Sequence, residues 1–309
     1  MAEIAVNVYS KEMAGYLAPL NAFYTKARKI VEAANAATFD IPQLSQPSSV
    51  HKGQPDMLPA KVKIATDSKK TGTMYQFWAD PILITNESEV VTNYAKRQQH
   101  QMQQAAQIET AVADWAAYQW CPTTSGLVVP TTGTGRATSV TGLTGNRKAA
   151  TKADMLSVAK VLRQNNIFSL PGKMYGLVTE DVYADLLALA EFVDYDKLGV
   201  TSKLELGVLG RIAGIEIMSR NASGNHIGVW LDASNNKVTS VATAGTDKPV
   251  SIFWHESYVC YGDAPAQANI TPNAPGYTGG TLIEGWKRAG FDIIRTDEKG
   301  TVALAEAVA

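Results

Sequence analysis

The chain has 309 residues, of which 45% are apolar and 18% charged, and its net charge is −1. That apolar share supports a sizeable core, and the length accommodates two domains or one large domain with extensions. Near-neutrality excludes an overall basic field for gripping nucleic acid, and so low a charged fraction suits a surface that is buried against partners.

Residues 1–45 read as a mobile arm with a helical part, whose amphipathic face carries Tyr16, Leu17, Leu20, Phe23, Tyr24, Ala27 and Ile30 and suits docking on a partner. Pro42, Pro47, Pro55 and Pro59 then mark an extended stretch with little core of its own. A hairpin is expected next. Val62–Thr66 alternates, Asp67–Gly72 supplies a polar tip, and Met74–Trp78 returns. Such a hairpin is marginal alone in water, so it is expected to lean on another subunit or to fold back on its own sheet.

The strand Pro81–Ile84 runs into Asn86 and Glu89, a capping-box spacing that opens an uninterrupted helix of about thirty residues ending before Pro122. At 1.5 Å per residue it is roughly 50 Å long, longer than a compact domain of this size needs. Its apolar seam is Val91, Tyr94, Met102, Ala105, Ile108, Val112 and Trp115, interrupted by a glutamine-rich centre. The glutamines, with Lys96 and Arg97, exclude a membrane span, and the broken seam weighs against a long coiled coil. A partly exposed helix lying across a sheet is expected.

Residues 123–146 read as a long irregular connection. Thr151 or Asp154 opens a helix ending near Asn165-Asn166, Met174–Val178 forms a strand, and Thr179 caps a further helix through Ala190. Gly207–Met218 is a glycine-punctuated turn into a strand. Strands at Gly228–Leu231 and Val250–Trp254 complete an α+β arrangement, followed by two strands, Thr281–Trp286 and Phe291–Arg295, and a last short run at Thr301–Leu304.

Chemistry is sparse. His51, His100, His226 and His255 are scattered without metal-ligand spacing, and no nucleophile elbow or phosphate loop appears. Gly207, Gly210 and Gly214 precede a strand, whereas a dinucleotide fingerprint follows one, so tight turns explain them. Acid pairs such as Glu180/Asp181 fit the first turn of a helix, and the six tryptophans read as core or interface. Cys121 and Cys260 sit in apolar settings and read as free buried thiols, which favours a reducing compartment. Met1–Ile4 lacks the start of a signal peptide, so cytoplasmic synthesis is expected. No catalytic, metal or cofactor site is expected. Charge is locally uneven: Lys52, Lys61, Lys63, Lys69 and Lys70 outweigh Asp56 and Asp67, while residues 180–205 are strongly acidic. Opposite patches on one chain suit contacts between copies of itself, and they suit solvated faces equally.

The order of parts, with Asp80-Pro81-Ile82 through Asn93–Arg97, Leu177–Tyr183 followed by Leu186-Leu187, Gly207–Met218, and the closing Gly290-Phe291-Asp292 with Arg295, resembles the major capsid proteins of tailed bacteriophages with the HK97-type fold. The resemblance spans nearly the whole chain. It implies an N-terminal arm at 1–48, an extended loop at 49–80 overlapping a neighbour, and a peripheral domain at 81–149 with its spine helix at about 87–120. An axial domain at 150–262 and a return to peripheral strands at 263–309 complete it. It implies a structural protein, not an enzyme, that forms hexamers and pentamers of an icosahedral head around double-stranded DNA, made in the host cytoplasm. Implied partners are the chain itself, a separate scaffolding protein (the long N-terminal scaffolding region of many relatives is not expected here), a portal protein and cement proteins. Assembly contacts are expected at Lys61, Lys63, Lys69, Lys70, Tyr75, Phe77, Lys96, Arg97, Tyr16 and Phe23. Some relatives crosslink a loop lysine to a neighbour's asparagine, and Lys69 and Lys70 stand at such a place. Deleting residues 62–76 is expected to abolish shells and leave a folded subunit. The alternatives are an encapsulin-type compartment of the same fold, an α+β hydrolase without a recognisable catalytic set, and a surface adhesin or tail protein.

Overall fold

The computed structural model describes residues 21–30, 37–44, 52, 64, 66–85, 96–189, 208–221, 227–272, 276 and 280–309. The strands are β1 (Arg28–Lys29), β2 (Thr38–Gln43), β3 (Ser68–Thr73), β4 (Tyr75–Thr85), β5 (Val128–Pro130), β6 (Gly135–Ala137), β7 (Asn146–Lys148) and β8 (Met174–Thr179). They continue with β9 (Val208–Ile212), β10 (Ile215–Arg220), β11 (Trp230–Leu231), β12 (Lys237–Val238), β13 (Lys248–His255), β14 (Val259–Asp263), β15 (Gln267–Thr271), β16 (Gly280–Ile293) and β17 (Thr301–Ala305). Three α-helices are described: α1 (Lys96–Trp120), α2 (Lys152–Gln164) and α3 (Glu180–Leu187).

Two larger sheets organise the chain. In the first, β16 is central, with β4 antiparallel on one side, β14 and β15 in succession on the other, and β1 parallel to β14. The second has eight strands, in the order β12-β11-β13-β8-β10-β9, with β17 joining β13 to β5. β2 and β3 form a separate antiparallel pair, as do β6 and β7.

α1 lies across the first sheet, as its amphipathic pattern implies. The buried stripe is Gln104, Ile108, Val112, Ala116 and Trp120, with Ala113 and Ala117 beside it. These recur every three or four residues, and the alanines let backbone and sheet approach closely. The predicted seam is therefore displaced. Met102 is 65% exposed and Ala105 is exposed, because the sheet selects the stripe ending at Trp120. Gln104, expected in a polar centre, is buried for a reason: its amide donates to the carbonyls of Asp80 (2.9 Å) and Ile283 (3.4 Å), where the β4–β16 register shifts. The stretch preceding Lys96, including the expected cap at Asn86, lies outside the described residues.

The main core joins both sheets. Trp120 and Trp254 meet at 5.3 Å between ring centroids, and Phe23 sits edge-on to both. β8 and β13 are buried on both faces: Tyr175, Leu177, Ile252 and Trp254 enter this core, while Met174, Val178 and Phe253 enter a second one beneath α2 and α3. Gly176 makes that possible, since a Cβ there would lie 2.6 Å from the Phe253 ring. The expected capping at Thr151 is present as a full box with Asp154, and Thr179 accepts from the Val182 amide to cap α3.

Four expectations need correction. The hairpin is paired differently: Ser68–Thr73, taken as its tip and end, is a strand bound to Thr38–Gln43, and Tyr75–Trp78 belongs to β4 against β16. Deleting 62–76 would thus remove structural strands. The connection after α1 is not wholly irregular, since it contains β5, β6 and the start of β7. The two closing strands are one, β16, running unbroken through Gly285 and Gly290. Finally, Ala22–Thr25 is a single 3-10 turn followed by β1, not a continuing amphipathic helix.

Candidate assembly surface

The five-stranded sheet has one covered and one open face. Phe77, Ala79 and Ile82 of β4 pair with Lys287, Gly285 and Ile283 of β16, and these face α1. The alternate positions, Gln76, Trp78 and Leu83, pair with Arg288, Trp286 and Leu282 and face away. On that face Leu282, Trp286 and Arg288 are half-buried. Trp78 is 66% exposed and Leu83 37%. An exposed tryptophan paired across strands with a half-buried one is the kind of feature that anchors interfaces.

The expected contact residues divide into three groups. Tyr16, Lys61 and Lys63 lie outside the described residues; Lys96 and Arg97 open α1, but their side chains lie outside the description. Phe23 is corrected. It is 1% exposed, locked among Trp120, Trp254 and the Arg220 guanidinium (5.4 Å from its ring), so it anchors the segment to its own chain. Phe77 likewise packs on the internal core, and Tyr75 is half-exposed with its ring edge-on to Trp115 at 5.2 Å.

Lys69 and Lys70 hold the β2–β3 pair. Lys70 Nζ binds Asp292 Oδ1 at 2.7 Å and donates to the Ile293 carbonyl at 2.6 Å, which pins β3 onto the end of β16. Lys69 binds Asp40 at 2.7 Å, and with the Thr71 hydroxyl it holds the Asp40 carboxyl below its ordinary range. Gln43 adds a bond of 2.6 Å to the Ile294 carbonyl. Because Gln43 pairs with Ser68, residues 44–67 leave and re-enter at one clamped root. Fully extended out and back, that length of chain reaches roughly 40 Å. Leu44 and Ile64, on either side of that root, are 87% and 82% exposed.

Two buried ionic clusters stiffen the frame. Lys287, 4% exposed, binds Glu109 Oε1 at 2.6 Å, and the Tyr24 hydroxyl donates to Glu109 Oε2 at 2.9 Å, so sheet, helix and N-terminal segment share one network. Burial, then the Glu109 charge, pushes the Tyr24 phenol up to about 12. In the second, Arg136 of β6 contacts Asp185 (3.0 Å), Asp181 (3.1 Å) and Glu306 (2.9 Å). Glu306 also accepts from the Thr179 hydroxyl at 2.8 Å. Its side chain is wholly buried, and that burial raises its carboxyl to about 7 despite Arg136. Cys121 and Cys260 are free and buried, as expected, and burial pushes both thiols up to about 12.

Trp78, Trp286 and Leu83 were not among the expected contacts. The available signal was parity: in β4, Trp78 falls opposite to Phe77 and Ala79, which the core claims.

No protein-family model and no curated protein matches the sequence. Among solved structures the chain is similar to the capsid of cyanophage Pam1, at TM-score 0.68 and 10% identity, over 100% of this chain and 98% of that one. It is similar to the capsid of cyanophage P-SCSP1u at TM-score 0.67 and 15% identity, covering 99% and 94%. The capsid of Ralstonia phage GP4 follows at 0.65 and 10%, covering 99% and 96%. The chain has the HK97-type capsid fold. Within that α+β fold, the open sheet face and the clamped root of residues 44–67 are features of this chain's own side chains.

Proposed function

We propose that this chain is the major capsid protein of a tailed bacteriophage, building hexamers and pentamers of an icosahedral head that encloses double-stranded DNA. The observation that carries the reading is the fold likeness over essentially the whole of both chains to several phage capsids. The surface supports it. An exposed Trp78 face and a reaching segment rooted at Gln43 and Ser68 distribute many modest contacts over several neighbours, and multiplicity then supplies stability. Net charge near zero suits an inner wall that tolerates DNA without reading its sequence. In this reading residues 1–48 are the arm and 49–80 the extended loop, and a scaffolding protein and a portal take part in assembly, with cement proteins on the outer surface.

The test is electron microscopy of the purified full-length chain at high concentration. Closed shells, tubes or capsomer rings are expected. A persistent monomer, even when scaffolding and portal genes from the same neighbourhood are co-expressed, overturns the reading. Shells that enclose a protein cargo and never DNA would turn it toward an encapsulin-type compartment.

A further inference from the structure

His255 is the last residue of β13, lies opposite Met174 of β8 and is 1% exposed. Its Nδ1 accepts the Ser257 amide hydrogen at 3.1 Å. Burial, opposed by the nearby Glu256 charge, holds the ring below its ordinary pKa, so it is neutral at pH 7. A neutral imidazole that accepts at Nδ1 carries its hydrogen on Nε2. That Nε2 is buried and has no hydrogen-bond partner among the described residues. Buried donors are almost always paired, so this one is conspicuous.

The same ring lines a cavity of about 180 Å³. Ile167 and Phe168, from the 3-10 turn after α2, form its apolar wall with Leu170 and Met174. Two glycines keep it open. Gly214, in the β9–β10 turn, has φ +90°, and a Cβ there would stand 3.1 Å from the Phe168 ring. Gly172 has φ +133°, and a Cβ there would stand 2.7 Å from His255 Cε1 and 3.0 Å from Nε2. The imidazole edge that carries the unused hydrogen therefore lies against Gly172, which lines the same cavity. Arg163 stacks on the Phe168 ring at 5.0 Å and steadies that wall. Charge around the cavity is mixed: Lys173 is exposed at its rim, and Glu256 Oε1 would be 2.9 Å from the Gly172 Cβ position.

We propose that this cavity binds a small neutral molecule with one aromatic ring and one oxygen acceptor, of the phenol class. The size fits, since an apolar cavity of roughly 150 Å³ takes up benzene. Phe168 and Met174 favour an aromatic ring over an alkyl chain, through ring–ring and sulfur–ring contacts. The ligand oxygen, seated beside Gly172, takes the hydrogen of His255 Nε2. A carboxylate would meet Glu256 and a cation would meet the imidazole donor, so a neutral ligand is selected. Every residue of the site belongs to one subunit, and the inference is independent of the shell reading.

Fluorine NMR of 4-fluorophenol with the full-length chain tests it, with fluorobenzene and 4-fluorobenzoate as controls. The native chain should broaden the 4-fluorophenol line saturably, and unlabelled phenol should reverse the effect. Fluorobenzene should bind about tenfold more weakly, for want of the hydrogen bond, and 4-fluorobenzoate more weakly than 4-fluorophenol. His255→Leu removes a donor that has no partner to lose, and the Ser257 amide, on an exposed residue, turns to water. That variant should keep its melting curve and bind 4-fluorophenol and fluorobenzene alike. Gly172→Ala fills the seat of the oxygen and should abolish binding of 4-fluorophenol. An unbroadened 4-fluorophenol line with the native chain overturns the site. So does equal or tighter binding of fluorobenzene or 4-fluorobenzoate, or a phenol preference that survives His255→Leu.

Discussion

Replacing Glu306 with glutamine should flatten one part of the pH dependence of stability. The carboxyl is wholly buried and meets one guanidinium that two further carboxylates, Asp181 and Asp185, already share. Its proton is held up to about 7 in the fold, against an ordinary 4.5. Between those values the folded chain keeps a proton that the unfolded chain has released. The contribution of Glu306 to stability is therefore full below about 4.5 and is lost as pH rises through about 7. At 1.36 kcal/mol per unit the swing is about 3 kcal/mol at most. Other carboxylates act oppositely: Asp40, Asp232, Asp297 and Glu298 are held below their ordinary values and lose their contribution on acidification. Absolute curves mix these effects, so the difference between native chain and Glu306→Gln is the quantity to measure. Urea unfolding at pH 4.5, 6 and 8, followed by the fluorescence of buried Trp120 and Trp254, supplies it. Relative to the native chain, the variant should gain about 2–3 kcal/mol between the lowest and highest pH. Parallel curves would refute the argument, because they would mean that Arg136 fully compensates the buried charge.

Three other outcomes are expected. Replacing residues 45–66 with a short glycine-serine link should abolish closed particles in electron microscopy while circular dichroism and melting stay native, since the root at Gln43 and Ser68 is kept; intact shells would contradict the reaching role. Trp78→Glu should also block assembly, with a stability change within about 0.5 kcal/mol because the side chain is 66% exposed. Gln104→Leu should lower unfolding stability by about 1–3 kcal/mol, since it strips the Asp80 and Ile283 carbonyls of a buried donor. An unchanged urea midpoint would show that water replaces the amide.

Local chemistry was readable where the sequence states it directly. The Thr151 and Thr179 caps, the Met174–Thr179 strand and the buried thiols depend on neighbours within a few positions. Errors arose where distant chain decides. Gly290 looks like a strand break, yet it is a close crossing: a Cβ there would lie 2.7 Å from the Thr73 carbonyl and the Met74 sulfur. Ser68–Thr73 looks like a polar turn because it holds only Ser, Lys, Thr and Gly, but Lys70 is satisfied by Asp292, more than two hundred positions away. Met102 and Ala105 have helical spacing as good as that of Gln104, and the register of β4 against β16 decides which stripe is buried.

The same distinction governs the candidate surface. A sheet face is assigned by parity, and parity is fixed only once the partner strand and its bulges are known. Phe77 and Trp78 are adjacent aromatics in one strand, and the sequence offers no local reason to prefer either for an interface. The register does: Phe77 opposite Lys287 is driven under α1 with the Glu109 network, so Trp78 opposite Trp286 must face outward. If Trp78 serves assembly, the ionic cluster around Lys287 serves it too, because that cluster selects the register that exposes the tryptophan.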